Sequence, residues 1–139
     1  IITSALTLSQ ALTNSGLVAL LADGLQGQLT VLGPWVAMAY IYLGALLLTE
    51  VMTNNAAAAL SFPIAFGIAE SLGVNPLPFV MAVAYGASAS FLTPYGYTTN
   101  LMVQNLGGYT LRDYCRSGLP VSLAYSATVL WLLPKVFPF

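Results

Sequence analysis

The sequence Thr-Asn-Asn at residues 53–55 places three consecutive polar side chains between two strongly apolar segments. The segment before it, residues 33–52, is long enough for a helix to cross most of a hydrocarbon core, and residues 56–68 are nearly as apolar. Irregular backbone inside a membrane is tolerated only where protein buries it or where it lines a wet cavity. The pattern therefore predicts a re-entrant helical hairpin over residues 33–73, whose polar tip faces a binding site. The alternative is an ordinary loop between two complete spans, with Asn54 or Asn55 as an N-cap.

The composition defines the class of protein. Of the 139 residues, 58% are hydrophobic and 5% are charged, and histidine is absent. A soluble domain carries roughly a quarter of charged residues to keep its surface hydrated, so we predict an all-α integral membrane protein. The net charge is −1 and no basic run is present, which excludes a nucleic-acid partner. The one cysteine, Cys115, permits no internal disulfide and no cysteine metal site.

The sequence offers little for catalysis. An intramembrane enzyme needs a nucleophile with a base, a pair of carboxylates in the core, or a set of metal ligands. Asp23 and Asp113 both fall at predicted surfaces, and no histidine is available. We therefore predict that the protein is not an enzyme and that it uses no cofactor.

Four segments follow one another along the chain. Residues 1–32 are too polar for a lipid-facing span and are predicted to form a helix end and an arm in the membrane interface. The hairpin comes next, and residues 78–108 are predicted to form a broken transmembrane helix. Residues 118–139 are predicted to form the final transmembrane helix, with Pro120 in its first turn. The chain begins with Ile-Ile and shows no signal-peptide pattern, so we expect it to be the C-terminal piece of a longer protein.

Proline and glycine mark the expected ends of the hairpin helices. Pro34 follows Gly33 and is predicted in the first turn of a helix, where its missing N–H does no harm. Gly73 is predicted as the C-cap of the second arm. Pro63 is expected to bend or interrupt that arm.

A second polar interruption divides the third apolar segment. Residues 93–100 read TPYGYTTN, in which Pro94 removes a helix donor and Gly96 permits unusual backbone angles. Apolar sequence resumes at Leu101, as in broken helices whose freed carbonyls and helix ends bind ions and anions. Both interruptions consist of Thr, Asn and small residues, which favours a binding site over two ordinary loops.

The few charged residues bear on function and orientation. Glu50 lies one turn before the polar triplet, where it either supports the tip by hydrogen bonding or acts as a titrating or cation-attracting group. Residues 105–118 are predicted to form a surface segment that holds Arg112 and Arg116. By the positive-inside rule that segment is cytoplasmic, which places the C-terminus outside.

Five motifs in this order resemble the C-terminal half of the divalent anion/sodium symporters, the sodium-coupled sulfate and dicarboxylate carriers. The motifs are TEVMTNNAAA at 49–58, FPIA at 62–65, Thr93-Pro94 with Asn100, GGY at 107–109 and GLP at 118–120. The resemblance implies an inverted-repeat transporter in which each repeat has a re-entrant hairpin with a Ser-Asn-Thr tip and a broken helix with a Thr-Pro turn. Hairpin and broken helix together then hold a sodium ion and half of the anion site.

Site residues follow from the motifs and the resemblance. The expected substrate-binding residues are Thr53, Asn54, Asn55, Thr93, Pro94, Gly96, Thr98 and Asn100. The expected sodium-binding residues are Thr49, Asn54, Leu92, Thr93 and Pro94. The tip departs from the usual pattern, with Thr in place of Ser and Asn in place of Thr. The long Tyr-rich turn after Pro94 is closer to the sulfate or citrate permease-like branch.

The predicted function is sodium-coupled, alternating-access symport of a small divalent anion, either sulfate or a di- or tricarboxylate. Expected partners are that anion, Na⁺, the lipid bilayer, the N-terminal half of the same chain and a second copy in a homodimer, in a bacterial or plasma membrane. The apolar segments offer the anion no cationic side chain, so amides, hydroxyls, helix N-termini and bound Na⁺ must offset its charge. The alternatives are a proton-coupled or arsenite/citrate-type carrier of related architecture, and a channel or scaffold subunit.

Overall fold

The computed structural model describes residues 14–16 and 33–139, and residues 33–139 form five α-helices without any strand. These helices are α1 (Pro34–Val51), α2 (Asn54–Leu72), α3 (Leu77–Ala87), α4 (Thr98–Gly107) and α5 (Leu111–Val136). The prediction of an all-α protein is confirmed for this part of the chain. The arm predicted over residues 1–32 lies outside the described residues, apart from 14–16.

Helices α1 and α2 form a hairpin with a very short connection. Helix α1 has Pro34 in its first turn, as predicted, and its N-cap is Gly33. Only Met52 and Thr53 lie between the two helices, and Thr53 is the N-cap of α2, with its Oγ1 accepting from the Ala56 N–H at 3.4 Å. The alternative assignment of Asn54 or Asn55 as N-cap is therefore wrong, because the threonine hydroxyl takes that role.

The second arm of the hairpin is one continuous helix. Gly73 ends α2 with a φ of 65°, so its prediction as a left-handed C-cap is confirmed. Pro63 lies inside α2 and does not interrupt it. Because α1 has 18 residues and α2 has 19, each is long and apolar enough to cross a membrane, as is α5. The re-entrant depth of the connection stays a prediction.

Residues 78–108 contain two helices separated by an interruption, which is longer than the predicted one; that the two helices form one broken transmembrane helix stays a prediction. Helix α3 ends at Ala87 and α4 begins at Thr98, so the interruption, called here the break, spans residues 88–97. The sequence predicts that the interruption starts at Thr93, and the break starts five residues earlier. The N–H groups of Phe91 and Leu92 donate to the Glu50 carboxylate of α1, and that of Phe91 also donates to the Ala89 carbonyl, so neither group continues the hydrogen-bond pattern of α3.

Helix α5 begins earlier than predicted. The boundary at residue 118 is wrong, since α5 starts at Leu111 and Pro120 lies inside it rather than in its first turn. The cause is a capping interaction in which the Asp113 carboxylate accepts from the backbone N–H of Thr110 at 2.9 Å and from its hydroxyl at 2.7 Å. The surface segment predicted over residues 105–118 is therefore helical in its second half.

The core lies between the hairpin and α3. Helices α1, α2 and α3 pack against one another, and α5 packs against α3. The largest fully buried apolar side chains are Tyr42, Phe79, Met38 and Ile68. Among the described residues, α4 buries no side chain, and the Tyr114 hydroxyl of α5 holds it by donating to the Asn100 carbonyl at 2.8 Å. The packing thus places the end of α1 and the start of α2 directly beside the break.

Candidate binding site between the hairpin tip and the break

The tip of the hairpin, residues 53–55, is hydrogen-bonded to the break. The Asn54 backbone N–H donates to the Gly96 carbonyl at 3.3 Å. The Asn54 side-chain amide donates through Nδ2 to the Tyr97 hydroxyl at 3.1 Å, and that hydroxyl donates to the Ser88 carbonyl at 3.2 Å. The two polar interruptions found in the sequence therefore meet in space, although Asn54 and Tyr97 are 43 residues apart.

Glu50 makes a second connection, between the last turn of α1 and the break. Its Oε1 accepts from the N–H groups of Phe91 and Leu92, each at 3.0 Å. Its backbone carbonyl accepts from the Thr93 hydroxyl at 2.6 Å. The supporting role expected of Glu50 is thus observed at the break rather than at the tip.

Three buried oxygens in this region have no hydrogen-bond partner among the described residues. They are Thr49 Oγ1, Glu50 Oε2 and Ser90 Oγ. The exposed fraction of these residues is 0%, 7% and 2%, respectively. Leaving a polar group unpaired in the protein interior costs about 1–3 kcal/mol, so these three oxygens are candidates for binding a ligand. Threonine in a membrane helix commonly donates to a carbonyl of its own helix, but Thr49 Oγ1 makes no such hydrogen bond within α1.

Two glycines allow backbone segments to approach closely here. A Cβ atom at Gly96 would overlap the Ser90 hydroxyl and would lie 2.8 Å from the Thr49 carbonyl oxygen. A Cβ atom at Gly118 of α5 would overlap the Phe91 carbonyl. The end of α1, the break and the middle of α5 therefore converge on one small region.

The region is acidic. The chain has three cationic side chains, and they lie at positions 112, 116 and 135, all on α5. Lys135 is engaged with the Trp131 ring, with Nζ 3.5 Å from the ring centroid. Among the described residues, Glu50 forms no ion pair with a basic side chain, and a carboxylate beside other oxygens is a set of groups that favours a cation.

The structure brings some of the predicted site residues together. Thr49, Asn54, Thr93 and Gly96 lie in the contact between tip and break, and Pro94 is fully buried in the break. The Leu92 carbonyl, a predicted sodium ligand, accepts a weak hydrogen bond from Cys115 Sγ at 3.5 Å.

Other predicted residues lie at the edge of this contact. The side chains of Thr53, Asn55 and Thr98 are exposed at the start of α2 and α4. The backbone carbonyl of Asn100, in α4, accepts a hydrogen bond from the Tyr114 hydroxyl of α5.

Sequence reasoning missed Ser90 and Tyr97. Nothing in the sequence distinguishes the Ser90 hydroxyl from that of Ser88, which donates to the Ala84 carbonyl. The TPYGYTTN motif, which contains Tyr97, is the one sequence feature that could have indicated this residue. Its pairing with Asn54 depends on how α1, α2 and α3 pack.

Comparison with known proteins identifies the family. The family model described as citrate transporter matches residues 1–84, which is more than half of the chain. The chain belongs to the citrate transporter family. The resemblance to the divalent anion/sodium symporters is confirmed.

Several relatives of this chain are named transporters. An uncharacterized transporter of Synechocystis is 41% identical over 130 residues, covering 94% of this chain and 21% of the relative. Sodium/sulfate cotransporter 1 of Chlamydomonas reinhardtii is 41% identical over 88 residues, covering 63% of this chain and 10% of the relative. Sodium/sulfate cotransporter 2 of the same alga is 34% identical over 123 residues, covering 88% of this chain and 14% of the relative. The chain thus spans about a fifth, or less, of the length of these relatives.

The family match covers the hairpin but not the break. Its matched region ends at residue 84, within α3, so it includes the tip and Glu50. The break and α5 are covered by the relatives, whose alignments reach over most of the chain. Both partners of the contact between tip and break therefore belong to regions that this chain shares with relatives named as transporters.

A separate cavity of about 660 Å³ lies between α4 and the start of α5. Its lining residues are Val103, Tyr109, Asp113, Tyr114, Arg116 and Ser117. None of the predicted site residues lines it.

Proposed function

We propose that the protein containing this chain is a secondary active transporter that carries a small divalent anion by sodium-coupled, alternating-access symport. The observation that carries this proposal is the contact between the tip and the break, which places three unpartnered buried oxygens beside the starts of two helices. The names of the sodium/sulfate cotransporters among its relatives support the anion and the ion. Sulfate and di- or tricarboxylates are the substrate classes to which we assign it.

The lengths of α3 and α4 support a site in the middle of the membrane. With 11 and 10 residues, neither helix alone can cross a hydrocarbon core of about 30 Å. At about 1.5 Å per residue, the two together rise roughly 30 Å, so a single crossing would place the break near the bilayer midplane. Because the tip is hydrogen-bonded to the break, it would lie at the same depth. The hairpin would then be re-entrant.

Two helix N-termini can supply the anion half of the site. Helices α2 and α4 begin at Asn54 and Thr98, and the two starts meet where Asn54 contacts the break. Each helix start carries a partial positive charge and free N–H donors. The exposed side chains of Asn55 and Thr98 add an amide and a hydroxyl. These groups can bind an anion without a cationic side chain.

The unpartnered oxygens can supply the ion half. Thr49 Oγ1 is buried at the end of α1 and has no hydrogen-bond partner among the described residues. The engagement of Asn54 Nδ2 with Tyr97 leaves Asn54 Oδ1 available to an ion. A cation bound here reduces the local negative charge and favours the anion, and by linkage the anion favours the cation by the same factor. Symport results when the cation and the anion are both bound before the site switches its access from one side of the membrane to the other.

The related candidate is a proton-coupled or arsenite/citrate-type carrier. Two observations favour it, namely the citrate transporter family match and the carboxyl group of Glu50 beside the site. A channel or scaffold subunit is the remaining alternative.

We further propose that the N-terminal half of the full chain completes the site and that the protein is a homodimer. We also propose that Arg112 and Arg116 are cytoplasmic, which places the C-terminus outside.

Uptake into proteoliposomes tests the proposal. The full-length protein is expected to accumulate radiolabelled sulfate, citrate or succinate against its gradient when an inward Na⁺ gradient is imposed, with saturable kinetics. Replacing Na⁺ by choline is expected to abolish the accumulation. Accumulation driven by a proton gradient alone would establish the proton-coupled alternative, and an ohmic conductance without accumulation would establish a channel.

A further inference from the structure

The two oxygens of the Glu50 carboxylate have different surroundings. Oε1 accepts from two backbone N–H groups of the break, whereas Oε2 is buried and has no partner among the described residues. The support of the break therefore uses only one of the two oxygens. A buried carboxylate is stabilised by donors or by a cation, and no basic side chain of the described chain lies beside it.

Ser90 brings a second free oxygen to the same place. It directly precedes Phe91, whose N–H donates to Glu50, so the Ser90 backbone is beside that carboxylate. Its hydroxyl lies against Gly96, where the Thr49 carbonyl oxygen also lies. The unpartnered oxygens of Thr49, Glu50 and Ser90 thus come from one region, and each of these residues is more than nine-tenths buried.

The chemistry of this set selects its ligand. All three unpartnered atoms are oxygens, and two hydroxyls with a carboxylate form a donor set typical of hard cations such as sodium. An anion is excluded by the carboxylate. A water molecule can satisfy hydroxyls but leaves the carboxylate charge in the membrane without a counter-ion.

We infer that Glu50 Oε2 and Ser90 Oγ are ligands of the coupling cation and complete its site together with Thr49 Oγ1. This inference rests on the proposed function, because it assigns further ligands to the proposed sodium site. Its distinct content is that a carboxylate supplies the charge of the site. The carboxylate allows the cation to bind in the absence of the anion, and the bound ion then favours the anion at the helix N-termini.

The substitution Glu50→Gln separates this role from mere support of the break. The glutamine oxygen can still accept from Phe91 and Leu92, while an amide group that donates hydrogen bonds replaces the free oxygen. A purely supporting Glu50 would tolerate the change. Ser90→Ala removes the second ligand with a smaller perturbation, and Ser88→Ala is its matched control because the Ser88 hydroxyl is already bonded to the Ala84 carbonyl.

Calorimetric titration of the purified full-length protein in lipid nanodiscs tests the inference. Sodium chloride is titrated in the absence of any divalent anion, with choline chloride as the blank, and the thermal unfolding midpoint of each variant is measured. We expect saturable Na⁺ binding by the unchanged protein and by Ser88→Ala, about tenfold weaker binding by Ser90→Ala, and no binding by Glu50→Gln.

The outcomes that overturn the inference differ from those that overturn the proposed function. Equal Na⁺ affinity in Glu50→Gln, Ser90→Ala and the unchanged protein would exclude both ligands, and so would Na⁺ binding that requires the divalent anion. In either case sodium-driven uptake would still uphold the proposed function. Conversely, the expected binding pattern without sodium-driven uptake would retain the cation site and reject symport.

Discussion

Thr49→Val should raise the half-saturating sodium concentration for anion uptake by at least about tenfold, which corresponds to about 1.4 kcal/mol of lost cation affinity. Valine keeps the shape of threonine and removes only its hydroxyl. Since Thr49 Oγ1 is fully buried and has no partner among the described residues, the substitution breaks no hydrogen bond that the structure shows. The anion affinity should fall together with the sodium affinity because the two are linked.

Initial uptake rates over a range of sodium concentrations measure this effect in proteoliposomes. Thr128→Val is the control, because the Thr128 hydroxyl donates to the Ala124 carbonyl of its own helix and is exposed on α5. It should leave the sodium dependence unchanged. An unchanged half-saturating concentration in Thr49→Val would remove Thr49 from the sodium site.

Gly118→Ala is expected to lower the maximal uptake rate at least about tenfold. The added Cβ would overlap the Phe91 carbonyl, which is backbone and cannot rotate away. The break must then shift relative to Glu50, whose carboxylate holds the Phe91 and Leu92 N–H groups. Overpacking of this kind costs about 1–3 kcal/mol, and because the added Cβ meets backbone we expect a cost above the roughly 1 kcal/mol that alanine contributes over glycine inside a helix.

Gly44→Ala provides the matched control for this substitution. Gly44 also lies inside a helix, α1, but a Cβ there meets no atom within 4 Å among the described residues. The control should keep normal uptake and raise the thermal unfolding midpoint slightly, whereas Gly118→Ala should lower that midpoint. Full uptake activity in Gly118→Ala would show that the position of the break against α5 does not matter for transport.

Local features of the sequence were sufficient for the predictions that came out right. The helix ends at Gly33, Pro34 and Gly73 depend on the backbone preferences of single residues, which act in any context. The polar stretches around Asn54 and Gly96 were recognisable because polar side chains are rare between long apolar segments. The start of α5 could also have been found, since Thr110 and Asp113 have the spacing of a capping box.

The remaining features depend on packing between distant segments. The early end of α3 results from an acceptor on another helix, because Glu50 is 41 residues away from Phe91. The role of Tyr97 likewise depends on where Asn54 lies after the hairpin has packed. The Ser90 hydroxyl has no partner among the described residues whereas the Ser88 hydroxyl has one, and this difference appears only in the three-dimensional arrangement.

Labelling of a cysteine at position 55 tests most directly the claim that the tip is part of a binding site inside the membrane. The Asn55→Cys variant of the full-length protein, without other cysteines and with Cys115→Ser, keeps the contacts of Asn54 to the break. At ligand concentrations about ten times the half-saturating values, Na⁺ and the anion should together slow maleimide labelling roughly tenfold. A control cysteine at the exposed position Ser71, near the end of α2, should label at the same rate with and without ligands. Rapid labelling at position 55 that does not respond to Na⁺ or the anion would contradict the account, because it would show an open loop outside the membrane.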